Sequence, residues 1–256
     1  MLIALYDHSF EGFLTVLFEV FEYRWNYCEI QKQAESHQNL FDEHKTIITQ
    51  PEKSQRVWKG LEKVGSKKAQ RLTYRVFLSE LKGVENLLLQ FVQKLFETQG
   101  EVVQNPADVT FREILKIDKM IGREKHRMDA FIRFRETKDH IYFATISPDF
   151  NVLPLNIPHF RKRYADQKWM IYDVKRNYGF FYNLYTVEEV VLETISEMNV
   201  NTSFDCLYFS EEEKWFQELW KTYFQHTNIS ERKNSQLHIK HVPKRYWKYL
   251  IEKNVI

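Results

Sequence analysis

Apolar positions along the chain fall into two periods. Phe10, Phe13, Leu14, Leu17, Phe18 and Phe21 recur at spacings of three and four, which predicts a helix with one apolar stripe facing a core. A short apolar run at 2–6 precedes it and stops at Asp7-His8-Ser9, whose side-chain oxygens suit a helix N-cap, so the opening reads as strand then helix. Residues 26–52 are polar and aperiodic and read as a long loop. From Pro51 to Phe96 the helical period returns, broken near Gly65-Ser66 and Gly83, with a second stripe at Leu88, Phe91, Val92, Leu95 and Phe96 that Gly100 closes. Asn105-Pro106 and Asp108 open a further helix to about Met128, apolar at Phe111, Ile114, Leu115 and Ile121.

The period then shortens to two. Segments 130–135 and 141–146 flank a polar turn at Lys138-Asp139-His140 and alternate as an antiparallel pair would. Residues 157–166 predict a short basic helix; 169–174 and 180–182, on either side of Asn177-Tyr178-Gly179, complete a meander of about four strands. Segment 187–197 suits helix or strand, and 210–226 and 243–252 read as helices. The expected class is α+β: a helical N-terminal half, a central antiparallel sheet and a helical C-terminal segment. The chain reads as one domain, 1–256, with a conceivable subdivision into a helical 1–105 and an α+β 106–256.

Composition narrows the function classes. Seven glycines in 256 residues disfavour folds built on glycine-rich phosphate loops. Two cysteines, Cys28 and Cys206, are too few for a disulfide framework or an iron–sulfur cluster and suggest a reducing compartment. The first residues lack a basic n-region, and no apolar run approaches the ~18 residues that span a bilayer, so the expectation is a soluble, cytoplasmic protein without a cofactor of its own. Net charge is only +2, yet residues 53–75 carry eight Lys/Arg against one acid, 231–253 seven against two, and 186–218 nine acids against one lysine. Such blocks either bind phosphate locally or form solvated helix faces.

Familiar motifs fail on inspection. Gly60 to Lys67 has the gap of a phosphate loop, but lysine and hydroxyl are in the wrong order and no buried strand precedes it. His238 and His241 are three apart and lack the glutamate of a zinc-protease helix. Three polar clusters remain. In the first, Arg123, Glu124, His126, Arg127 and Asp129 precede Arg133, expected on the opening strand; a guanidinium pair there suits phosphate, buried Glu124, His126 and Asp129 would suit acid–base chemistry, and a salt-bridge network at a helix end would need neither. In the second, His159, Arg161, Lys162 and Arg163 lead to Trp169, Tyr172, Asp173, Arg176 and Tyr178, an interleaving of cations and rings that suits single strands or describes a core beneath a basic rim. The third holds Arg232, Asn234, Arg245, Tyr246 and Trp247.

The segments YDHSFEGFL, REKHRMDAFIRF, HFRKRYADQKWMIYDVKRNYGFFYN, ELWKTYF, ISERKN and PKRYWKYL, in this order, resemble the bacterial family labelled "probable DNA metabolism protein". That family is a domain of unknown function encoded beside a radical-SAM protein of DNA repair or modification, and also found fused to uracil-DNA glycosylase-like domains. The resemblance implies a DNA-associated role with a radical-SAM partner, which would house any iron–sulfur cluster. It brings no established catalytic residues, so the positions that fit the pattern are candidates only: Arg123, Glu124, His126, Arg127, Arg133, His159, Arg163, Asp173, Arg176, Arg232, Asn234, Arg245, Tyr246 and Trp247.

Three functions follow. The first is an accessory subunit presenting single-stranded or damaged DNA through Arg123, Arg127, Arg133, Arg163, Arg176 and Arg245. The second is a lyase, nuclease or glycosylase-like enzyme with His126 or His159 as acid–base, oriented by Glu124 or Asp173. The third is a protein adaptor that docks through the acidic 186–218 stretch.

Overall fold

The computed structural model describes residues 2–25, 27–33, 43–192, 219, 239–250 and 253, which divide into two units, Met1–Gly122 and Arg123–Ile256.

In the first unit, β1 (Leu2–Tyr6) is the central strand of a parallel sheet of order β2-β1-β3, with β2 at Cys28–Lys32 and β3 at Glu43–Thr46. A central parallel strand is covered on both faces, which explains its unbroken apolar run: Ile3, Ala4, Leu5 and Tyr6 are all buried. The two partners correct the reading of 26–52 as loop. Their sequences, CEIQK and EHKT, are edge strands with mostly half-buried or exposed positions, so they need no apolar alternation and are held by backbone pairing to β1. Asn86 caps the outer edge of β2, its Oδ1 accepting from Ile30 N at 2.9 Å.

The turn from β1 into α1 (Phe10–Glu22) follows the expected capping. Ser9 Oγ accepts from Gly12 N at 2.9 Å, and Asp7 Oδ1 accepts from Ser9 N and Oγ. Asp7 Oδ2 accepts from Thr49 Oγ1 at 2.7 Å. A Cβ at position 12 would lie 2.2 Å from Asp7 Oδ1, so the turn closes only around glycine. The long helix α2 (Pro51–Phe77) breaks where the sequence suggests, at Ser66, whose φ is 61°. Its basic block is largely its solvent face: Arg56, Lys59, Lys63, Lys67, Lys68 and Arg71 are exposed, whereas Lys53 pairs with Glu19 and Arg75 with Asp118. Helix α3 (Val84–Glu97) starts at left-handed Gly83 and buries Leu88, Phe91, Val92 and Leu95 of the predicted stripe, with Phe96 half-buried. Helix α4 (Val109–Phe131) begins in this unit and ends in the next.

The second unit contains β4 (Arg135–Glu136), β5 (Tyr142–Ile146), α5 (Leu153–Arg163), β6 (Trp169–Asp173), β7 (Tyr178–Tyr182) and β8 (Val187–Val190), in a sheet of order β4-β5-β6-β7-β8. The α+β class holds, but the sheet differs from a four-stranded antiparallel meander. It has five strands, and β5 and β6 run parallel because α5 carries the chain back between them. The expected hairpin shrinks to two residues of β4, because α4 continues through Ala130 and Phe131. Segment 187–190 is strand, pairing antiparallel with β7. The expected C-terminal helix is 3-10 in form, Lys244–Tyr249; the helix expected at 210–226 lies outside the described residues, Leu219 excepted, which is helical. Trp169 and Tyr172 are fully buried, so these rings of the second cluster belong to the core.

Candidate functional site

Where β5 and β6 end, the loop 147–152 enters α5 and the turn 174–177 enters β7. In sheets with parallel strands the carboxyl ends are where ligand groups gather, because loops diverge there around a crevice. Here they converge on Asp149.

Its backbone and side chain are held from three directions. Asp149 N donates to Glu124 Oε1 at 2.9 Å. Arg245 Nη2 lies 2.5 Å from Asp149 Oδ2 and 3.8 Å from Glu124 Oε2. Lys175 Nζ donates to Asp149 O at 3.0 Å, as does Arg176 Nη2 at 3.2 Å, while Arg176 Nη1 donates to Pro148 O at 3.3 Å.

Two buried carboxylates anchor the arrangement. Glu124, on α4, is 1% exposed; it accepts from the Tyr246 hydroxyl and lies 3.4 Å from Arg127 Nη1. Asp173, at the end of β6, is fully buried; Arg176 Nη1 reaches its Oδ2 at 2.7 Å, and Lys175 N donates to its Oδ1 at 3.0 Å. Burial pushes the Asp173 carboxyl above its ordinary range, the Arg176 pair offsetting only part of that. Burial also pushes the Tyr246 hydroxyl well above its ordinary value, and the adjacent Glu124 charge adds to the shift. Burial opposes the Arg245 charge, but Tyr246, Asp149 and Glu124 outweigh it and hold the guanidinium above its usual value.

The cluster therefore gathers Arg127, Lys175, Arg176 and Arg245 around Asp149, Glu124 and Asp173. Arg245 remains half-exposed, with its guanidinium stacked 4.6 Å from the Tyr246 ring centroid, and Lys175 is exposed. Such a surface presents positively charged heads while carboxylates fix the three arginines and the Asp149 carbonyl fixes Lys175, which is what a phosphate contact requires.

The structure thus joins members of all three sequence clusters: Glu124 and Arg127, Asp173 and Arg176, Arg245 and Tyr246. Tyr246 is 1% exposed, so its ring is a floor for Arg245 and presents no face to a base. His126 and Arg123 lie on the exposed side of α4, so His126 is not buried together with Glu124. Arg133 follows the helix instead of opening a strand and donates to the carbonyls of Ala130 and Ile132, closing the C-terminus of α4. His159 packs edge-on against Phe160, and Arg163 is exposed at the end of α5. Trp247 Nε1 donates to Val242 O at 3.0 Å. Arg232 and Asn234 lie outside the described residues, as does 193–218 of the acidic stretch. Sequence reasoning missed Asp149 and Lys175. The signal for the former was Ser147-Pro148-Asp149 directly after a strand, a loop opening at a carboxyl end.

Residues 82–252 match the family described as a domain of unknown function, DUF4130. The chain belongs to the DUF4130 family. No curated protein and no solved structure matches the chain. Every member of the Asp149 cluster lies within the DUF4130 segment, which begins just before α3 and leaves β1, α1 and α2 outside it. Among the described residues, no helix is long and apolar enough to cross a membrane.

Proposed function

We propose that this DUF4130 protein is a nucleic-acid-binding accessory subunit of DNA repair or modification, working beside a radical-SAM partner. One observation supports binding above the others: four cationic side chains from α4, the β6–β7 turn and the C-terminal 3-10 helix meet at the carboxyl ends of two parallel strands. Carboxylates hold the three arginines and the Asp149 carbonyl holds Lys175, so little side-chain freedom is lost when a phosphate arrives. Arg245 and Lys175 are the outermost and would make the first contacts. The DNA context and the radical-SAM partner rest on the sequence resemblance.

The test is the affinity of the full chain for a fluorescent single-stranded oligonucleotide, followed by anisotropy at several salt concentrations. Affinity is expected to fall steeply with salt, and Arg245→Glu is expected to weaken it at least tenfold and flatten the slope. Affinity independent of salt, or unchanged in Arg245→Glu, sinks the reading.

A further inference from the structure

On the outer face of α5, turned away from its buried Leu153, Asn156 and Phe160, lies an open cleft of about 440 Å³. Ile157, Pro158, Arg161 and Lys162 form its helical wall and Val187 of β8 faces them. The adjoining β7–β8 turn carries Tyr185, 80% exposed, whose carbonyl accepts from Arg161 Nη2 of the cleft wall at 3.3 Å.

Three features distinguish this place from an ordinary basic helix end. First, Arg161, Lys162 and Arg163 have no ion-pair partner among the described residues, in contrast to the three arginines around Asp149. Cations in a last turn do complement the helix dipole, but that does not call for a cleft beside them. Second, the turn presenting Tyr185 is rigid. Asn183 Oδ1 accepts from Tyr185 N at 2.9 Å and Thr186 N at 2.8 Å, its Nδ2 donates to Thr186 Oγ1, and Glu188 fastens Thr186 Oγ1 from β8. These bonds fix the backbone from which the ring projects, and the ring itself offers a flat apolar face to water. Third, Ile157, Pro158 and Val187 make most of the cleft lining apolar, and Arg161 and Lys162 supply its positive charge.

We propose that this cleft seats one unpaired nucleotide of a single strand: the base stacks on Tyr185 above Ile157, Pro158 and Val187, and its phosphate is held by Arg161 and Lys162. The assignment rests on the nucleic-acid reading above and adds a base-contacting subsite to it. An acidic peptide would satisfy the cations but leave the exposed ring and apolar lining unused, so the combination favours a ligand that is both planar and anionic.

The experiment compares two single-stranded probes of equal length, oligothymidylate and an abasic oligomer, binding to the full chain. Tyr185→Ala is expected to weaken oligothymidylate binding about tenfold, the scale of one lost stack, and to leave abasic binding unchanged. Tyr185→Phe, which keeps the ring, is expected to bind as the parent does and shows that the position tolerates change. Arg161→Glu with Lys162→Glu is expected to weaken both probes. Equal loss on both probes in Tyr185→Ala, or loss on neither, overturns the cleft assignment alone. Failure of the parent protein to bind either probe overturns the nucleic-acid reading, and the cleft falls with it.

Discussion

Glu124 illustrates how much one buried charge asks of its neighbours. It sits in the core of the second unit with Tyr246, Arg127, Arg245 and the Asp149 amide as partners, and each removes part of the cost of taking a carboxylate out of water. Tyr246→Phe keeps the ring but deletes one donor, and is expected to cost about 1–3 kcal/mol in urea denaturation. The pH dependence has a definite sign. Because the folded state raises the Tyr246 pKa, its contribution is intact below the ordinary tyrosine value of about 10 and is lost as pH climbs beyond it. The Phe variant is therefore expected to show a shallower alkaline decline than the parent. At this scale the sequence was partly legible. Glu124, Arg127, Arg176, Arg245 and Tyr246 stand out as charged or aromatic groups in dense clusters, and the structure brings them together. Asp149 did not stand out, because its importance comes from which strand end it follows, and that β5 and β6 run parallel is a tertiary fact that no local period encodes.

Among elements, the helices were recovered from periodicity, although burial is one-sided in α3 and almost all round in α1. The α1 helix, the α3 stripe and the break at Ser66 follow from spacing and a glycine–serine pair, whereas of the α1 stripe Phe13, Leu14 and Leu17 are buried and Phe21 is exposed. Strands β2 and β3 escaped because edge strands with little buried area carry no apolar signature. The β1–α1 turn was legible as a cap, yet its tightness was not. Gly12→Ala is expected to destabilise the fold, lowering the thermal midpoint by several degrees, because the new methyl would meet the Asp7 carboxylate and Thr49 hydroxyl, at 2.2 and 2.8 Å. Burial works to raise the Asp7 pKa, but hydrogen bonds from Ser9 and Thr49 win and hold it below its ordinary value. Its stabilising contribution is thus complete above the unfolded carboxylate pKa, about 3.9, and is lost as pH falls through the depressed one. Asp7→Asn is expected to flatten the acid limb of a stability–pH curve, and an unchanged limb would refute that role.

At the level of the whole chain, the family boundary and the physical boundary disagree. The DUF4130 match begins at residue 82, whereas α3, which starts at Val84, packs on α2 and belongs to the first unit. A fragment of residues 82–252 would expose Leu88, Phe91, Val92 and Leu95, all fully buried in the intact chain. It is expected to aggregate on size-exclusion chromatography, while the full chain elutes as a defined species. Composition gives no access to this boundary, since no linker marks it and α4 runs across it. The order of the first sheet has a further consequence for synthesis. β1 leaves the ribosome before either strand that flanks it, and its Tyr6 hydroxyl finds its acceptor only at Glu85. The most apolar strand of the unit must therefore wait for β2 and then β3, at Cys28–Lys32 and Glu43–Thr46, before both its edges are paired. During that interval at least one of its edges has nothing to pair with, and slowing translation before β3 is expected to lengthen that exposure.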